Sequence, residues 1–368
     1  MSESRNVHLV KGVVATTAHK QLPEGTFEEE YGRAGFFSRI AHLTHTNAPT
    51  DWQKIDGPLK PRSYDTNKLS SANGEFHPLL FNDDVSLGLL HIATPREHWF
   101  RDSDSERIYF IHTGEGEIET IFGPIPYRKG DYVVIPRGTL HRIVPTAVSA
   151  ILTIEAYRGE IEQPSRGILG QHALYDPAAL FIPDPKAYPS EPGKQYEVWV
   201  KRDNELTKFT FNHHPIDVIG WKGDLFPWRL NIDQFLPVNS HRQHLPPPVH
   251  TTFVGKGFVV CSFLPRPLET DDDAVKVPFY HSNIDYDEVL FYHDGDFFSR
   301  DGISAGMITF HPQGFPHGPH PKARILSQKK VWTDEAAVML DTTKPLKIAT
   351  TLHSVENLDY WKSWGAQS

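Results

Sequence analysis

Between Leu79 and Ile154 the apolar residues come in short runs, several of them alternating with polar ones. Examples are Val85-Ser-Leu-Gly-Leu-Leu-His-Ile, Arg107-Ile-Tyr-Phe-Ile-His, Gly116-Glu-Ile-Glu-Thr-Ile-Phe, Tyr132-Val-Val-Ile and Ala150-Ile-Leu-Thr-Ile. Runs of this length and period predict β-strands, and the breakers Thr113-Gly114-Glu-Gly116, Phe122-Gly123-Pro124 and Lys129-Gly130-Asp131 predict the turns between them. The pattern is that of a β-sandwich or small barrel. Prolines and glycines then crowd residues 160–196, which predicts an irregular crossing segment. Strands resume at Tyr196-Glu-Val-Trp-Val, Phe209-Thr-Phe, Phe253-Val, Gly257-Phe-Val-Val-Cys-Ser-Phe, Glu288-Val-Leu-Phe-Tyr and Ala305-Gly-Met-Ile-Thr-Phe. The tail around 332–340 and 358–364 shows weak helical spacing at most. Residues 1–75 are polar and irregular, and read as a domain-edge extension in preference to an oligomer arm.

The two halves echo one another. Glu106-Arg-Ile-Tyr-Phe-Ile-His-Thr-Gly114, followed by Pro136-Arg-Gly138-Thr-Leu-His141, parallels Glu288-Val-Leu-Phe-Tyr-His-Asp-Gly295, followed by Pro312-Gln-Gly314-Phe-Pro-His317. Two copies of Pro-x-Gly-x-x-His downstream of a Glu-bearing strand predict a duplicated β-barrel module. The expected division is 1–195 for an N-terminal β domain and 196–368 for a C-terminal one.

Composition narrows the function class. A net charge of −9, with no long Lys/Arg run, argues against nucleic acid or an anionic membrane as partner. One cysteine, Cys261, excludes a disulfide within the chain and suits a reducing cytoplasm; its apolar surroundings predict a core position. Met-Ser-Glu-Ser-Arg-Asn at the start does not resemble a secretory leader. The 30 prolines and 26 glycines favour short strands over long helices, while the 21 histidines each need separate weighing.

Chemistry concentrates between Phe279 and Pro321. His281, Asn283 and Glu288 fall on or beside one predicted hairpin, and Pro312-x-Gly314 is placed to aim His317 back into the same barrel. Two imidazoles and a carboxylate from separate strands make the ligand set of a ferrous oxygenase, which leaves open positions for substrate and O2. In the first half His98, Glu106 and His141 occupy the parallel places without a His-x-Asn, which predicts a barrel that has lost its metal site. His213-His214 are discounted as a ligand pair because adjacent strand residues face opposite sides. Gly114-Glu-Gly116 reads as a hairpin turn, and Asp271-Asp-Asp273 as a solvated loop.

The sequence resembles the homogentisate 1,2-dioxygenase family. The residues that carry the likeness are Asp217-Val-Ile-Gly-Trp221-Lys-Gly223-Asp-Leu-Phe-Pro227-Trp-Arg-Leu-Asn231, Val238-Asn239-Ser240, Tyr280-His281-Ser-Asn283 and Pro316-His317-Gly318-Pro319. The resemblance implies a mainly β chain of two cupin-type (jelly-roll) barrels, Fe(II) held by His281, Glu288 and His317, and O2-dependent cleavage of a small aromatic, hydroquinone-type substrate. It also implies a homo-oligomer, trimer or hexamer. Glu288 lies one residue further from the histidine than in the family pattern, so Asp287 competes as the carboxylate. The family's acid–base histidine maps to His244, off by one in register, or to His250. The substrate pocket maps to Phe279, Tyr280, Ser282, Asn283, Phe297 and Arg300. Phe279, Ser282 and Phe297 replace two tyrosines and an arginine of the family, and Arg300 a lysine. Lost polar groups of that kind would loosen the hold on an acidic substrate. Two other functions fit a two-barrel chain: a metal-dependent isomerase or hydrolase working without O2, and a non-catalytic ligand-binding protein.

Overall fold

The computed structural model describes residues 9–365, apart from 71, 299 and 301. The reading of the N-terminus as leaderless rests on residues outside that range. Strands dominate, and Pro321–Ser327 is the single α-helix among the described residues. Among the described residues, no helix is long and apolar enough to cross a membrane. The architecture is mainly β, with two barrels packed side by side.

In the first barrel a seven-stranded sheet runs in the order Trp228–Asn231, Asp131–Ile135, Glu106–Thr113, Ser149–Ala156, Val85–Ile92, Phe76–Phe81, Lys347–Ile348. A six-stranded sheet faces it, in the order Glu205–Phe211, Tyr196–Arg202, Trp99–Asp102, His141–Pro145, Glu115–Thr120, Ile125–Arg128. Ile111, Ile118, Ile125, Val133 and Ile151 fill the space between the two. The second barrel is built on another six-stranded sheet: Thr251–Gly255, Phe258–Phe263, Ala336–Thr342, Asp287–Asp294, Met307–His311, Arg62–Asp65. Ile40–His45, Phe27–Gly32 and Tyr280–Asn283 form a separate three-stranded sheet.

One core joins the barrels. Leu79, Phe110 and Leu152 of the seven-stranded sheet pack with Phe253, Val289, Phe310 and Leu340 of the second barrel's sheet. Strand alternation then sorts each side chain. Val289 and Phe291 enter the shared core, whereas Leu290 and Tyr292 turn into the second barrel with Met339 and Phe297. Burial on both faces gives such strands long apolar runs without a polar stripe. It also explains the tail: Ala336–Thr342 is a central strand buried along its whole length, so no alternation marks it in the sequence.

The sheets do not respect the division expected at residue 195. Tyr196–Arg202 pairs in parallel with Trp99–Asp102, and Trp228–Asn231 pairs with Asp131–Ile135, so both extend the first barrel. Conversely, Phe27–Gly32 runs parallel to Tyr280–Asn283, and Arg62–Asp65 pairs with Met307–His311. The N-terminal segment, expected as an edge extension of the first domain, supplies strands to the second. An edge strand's unpaired N–H and C=O groups can be satisfied by any segment of matching length, and sequence distance does not enter. In the loop at 269–273, Asp272 and Asp273 are exposed as expected and Asp271 is partly exposed while pairing with Lys20; Glu269 alone is buried.

Candidate metal centre

Two segments meet at the mouth of the second barrel through a reciprocal pair of backbone bonds. His281 N–H donates to His317 C=O and His317 N–H donates to His281 C=O, each at 2.9 Å. The approach depends on Gly318, where a Cβ would lie 2.9 Å from the Phe279 carbonyl oxygen. The turn before it needs Gly314, whose φ of +98° is left-handed territory.

Alternation fixes which carboxylate arrives. Glu288 shares the inward face with Leu290 and Tyr292, and its Oε2 lies 3.5 Å from His281 Nε2 and 3.3 Å from His317 Nε2. Asp287 points the other way, and its two oxygens accept the backbone N–H groups of Gln313 and Leu346 at 2.9 and 2.7 Å. Three donors, one each from His281, Glu288 and His317, thus converge within metal-binding reach.

The donors also have the chemistry a divalent ion needs. His281 Nδ1 lies 3.1 Å from the Phe279 carbonyl, which holds the proton on that nitrogen and leaves Nε2 free to coordinate. Both ring nitrogens of the buried His317 lack a hydrogen-bond partner. Each orphaned group costs about 1–3 kcal/mol, and a cation bound to Nε2 removes that cost for Nε2. Burial lowers the His317 pKa to about 3, keeping the ring neutral and able to ligate. Burial alone would raise the Glu288 pKa, but His317, His281 and His311 hold it well below the ordinary carboxylate range, so it stays anionic. Across the strand, burial and the charge of Glu288 push Asp341 the opposite way.

The pocket residues expected from the sequence divide into two groups. Phe279, His281, Glu288 and Arg300 line one cavity, together with His250. Arg300 Nη1 donates to the Gly318 carbonyl at 2.8 Å, next to His317. Tyr280 and Ser282 lie on the opposite face of their strand: Tyr280 packs against Phe27, and Ser282 Oγ donates to Glu29 at 2.6 Å. Neither lines the cavity, so the Ser282 replacement for an arginine does not itself alter its wall. Phe297 packs edge-on against Tyr292 in the barrel core, and the neighbouring Phe298 reaches the cavity instead. Asn283 is buried, and its Oδ1 has no hydrogen-bond partner. His244 is separated from the cavity by Phe279, on which it stacks at 3.8 Å between ring centroids.

Besides Phe298, three site residues escaped the sequence reading. His311 Nδ1–H donates to Glu288 Oε1 at 2.8 Å, from the position directly opposite in the sheet register. Its signal was the second histidine of His311-Pro-Gln-Gly-Phe-Pro-His317. Arg266 and Glu335 also line the cavity, and nothing local in the sequence marked them.

The first barrel holds the larger cavity, about 560 Å³ against about 100 Å³ beside Glu288, but a different chemistry. There Arg107 faces inward at the place corresponding to Glu288, within 2.6 Å of Asp102 and 2.5 Å of Glu155. Glu106 instead accepts the Ile161 N–H, His98 stacks on Trp199, and His141 meets the Tyr109 hydroxyl at 2.9 Å. The structure does not bring His98, Glu106 and His141 together. His214 is buried, with Nδ1 accepting the Ile216 N–H, and Cys261 is a buried thiol.

Comparison with known proteins gives a consistent set of relatives. The family described as "Homogentisate 1,2-dioxygenase N-terminal" matches residues 82–232. A Saccharolobus solfataricus protein named "Putative dioxygenase" is 32% identical, over 92% of this chain and 92% of its own. A homogentisate 1,2-dioxygenase of Bradyrhizobium diazoefficiens is 28% identical over 72% of this chain, and the match spans 62% of that enzyme. Among solved structures, a cupin 2 conserved barrel domain protein from Leptotrichia buccalis aligns over 77% of this chain and 96% of its own, at 12% identity and a TM-score of 0.35.

Proposed function

We propose that this chain, which belongs to the homogentisate 1,2-dioxygenase-like family, is an Fe(II)-dependent dioxygenase that cleaves the ring of homogentisate or a related hydroquinone with O2. The observation that carries the reading is the convergence of His281, Glu288 and His317 at 3.3–3.5 Å, beside a lined cavity. Bound there, Fe(II) supplies one-electron chemistry and open positions for oxygen and a phenolate.

The remaining work falls to side chains. Glu288 brings the negative charge that a divalent ion requires, and His311 orients it through their shared hydrogen bond. Phe279 and Phe298 give an apolar wall against which an aromatic ring can lie. Arg300 and Arg266 bring guanidinium groups to the same cavity and suit a carboxylate or phenolate on the substrate. His250, at the cavity wall with its pKa lowered to about 3 by burial and then Arg266, is neutral at physiological pH. Its Nδ1 has no hydrogen-bond partner, which makes it the better placed of the two candidate proton acceptors. The same reading carries a cytoplasmic homo-oligomer.

The test is O2 uptake by Fe(II)-loaded protein with homogentisate, gentisate and unsubstituted hydroquinones, with the ring-opened product identified. Uptake with at least one of them is expected. No uptake across the panel by iron-bound protein overturns the reading, and anaerobic turnover with Zn(II) would place the chain among the non-oxygenase metal enzymes.

A further inference from the structure

A second donor cluster lies beside the first, built by the N-terminal segment. Glu30 is paired in register with His281 on the neighbouring parallel strand, so one three-stranded sheet contributes a donor to each cluster. Glu30 Oε2 is 3.2 Å from His19 Nε2 and 3.6 Å from His244 Nε2. All three residues are buried, and the His244 side chain is 1% exposed. We infer that His19, Glu30 and His244 form a second, structural site for a divalent transition metal, with Zn(II) the ion whose preferences it fits.

Spacing is one argument. Ligand atoms around a tetrahedral Zn(II) with ~2.1 Å bonds stand about 3.4 Å from one another. The second cluster's 3.2 and 3.6 Å bracket that value, as do the 3.3 and 3.5 Å of the Glu288 cluster. Glu30 Oε2 and both ring nitrogens of His244 are buried without a hydrogen-bond partner. An imidazole shut away from water with both nitrogens unpaired is costly, and it faces a carboxylate oxygen in the same condition.

Glu28 sits outside this trio: its Oε1 accepts the His19 backbone N–H at 2.9 Å and lies 2.8 Å from His19 Nδ1, on the side of the ring away from the Nε2 that faces Glu30. The other grouping, His19 with Glu28 and His42, is looser: His42 stands 3.8 Å from Glu28, with its side chain 31% exposed. Glu28 therefore acts as the outer partner and Glu30 as the ligand.

The consequence is mechanical. His19 is stitched to the 271–275 loop, its carbonyl accepting the Val275 N–H at 2.8 Å. His244 stacks on Phe279, which walls the cavity next to His281. An ion at this place ties the N-terminal segment and the 241–246 loop to the wall of the first centre, and it takes His244 out of acid–base chemistry.

The experiment counts metal and does not read turnover, so it stands apart from the proposed activity. Full-length protein is stripped, loaded with Zn(II), dialysed and analysed by plasma mass spectrometry. About two equivalents per chain are expected for wild type, and about one for Glu30→Gln and for His317→Ala. One equivalent in wild type that vanishes in His317→Ala, or an unchanged two in Glu30→Gln, overturns the inference. Should Glu30→Gln lose its fold, His317→Ala titrated with Co(II) decides. One bound equivalent with tetrahedral visible absorption upholds the site, and no binding refutes it.

Discussion

The two neighbouring acids on strand Asp287–Asp294 should separate metal binding from stability when each is changed alone. Asp287 is buried and accepts two backbone N–H groups, from Gln313 and Leu346. Replacing it with alanine strands both donors at about 1–3 kcal/mol each, so Asp287→Ala should lose about 2–6 kcal/mol. For a chain of this size that is a fall in melting temperature of roughly 3–8 °C. Its metal content should be unchanged if the protein is assayed below its new midpoint. Glu288→Gln keeps the volume and removes the charge, leaving two neutral imidazoles for a dication. It should lose the metal of this centre, with a smaller stability change in chelator-treated protein, because no backbone donor depends on Glu288. Thermal melts with chelator, combined with metal analysis, read both variants. Loss of this metal from Asp287→Ala with its melt unaltered, or full retention by Glu288→Gln, would refute the strand-parity argument on which the site rests.

The remaining predictions concern separate parts of the molecule. Arg107→Leu breaks a buried pair with Asp102 and Glu155 and should cost about 3–5 kcal/mol, measured by urea unfolding, while metal content stays as in wild type. His250→Ala should slow turnover at least tenfold with Fe(II) retained, about 1.4 kcal/mol of barrier; unchanged kcat with the best substrate would remove it from the chemistry. Burial lowers the pKa of His112 to about 4 and that of His293 to about 3, and the two rings meet at 3.0 Å. Both take up protons more readily when unfolded, so their contribution is complete above the unfolded pKa of about 6.5 and is lost as pH falls towards 3–4. The melting temperature should fall with pH across that window, and His293→Leu should flatten the slope.

The sequence by itself determined the fold class and named all three donors of the first candidate metal cluster. Alternation announced the strands, Pro-x-Gly announced the turn that delivers His317, and His-x-Asn-x4-Glu marked the strand pair, because these are local signals set by backbone geometry. Spacing to Gly295 favoured Glu288 over Asp287, but adjacent residues differ in which face they take, and the face is fixed by what packs there. Local pattern could not show that His311 stands across from Glu288, or that Tyr280 and Ser282 turn away from the cavity. The tertiary structure alone decided that residues 27–65 complete the second barrel and that His19, Glu30 and His244 converge. Those contacts join segments more than 200 residues apart in sequence, and pairing across such distances depends on matching edges and shared burial, which leave no periodic trace in the chain.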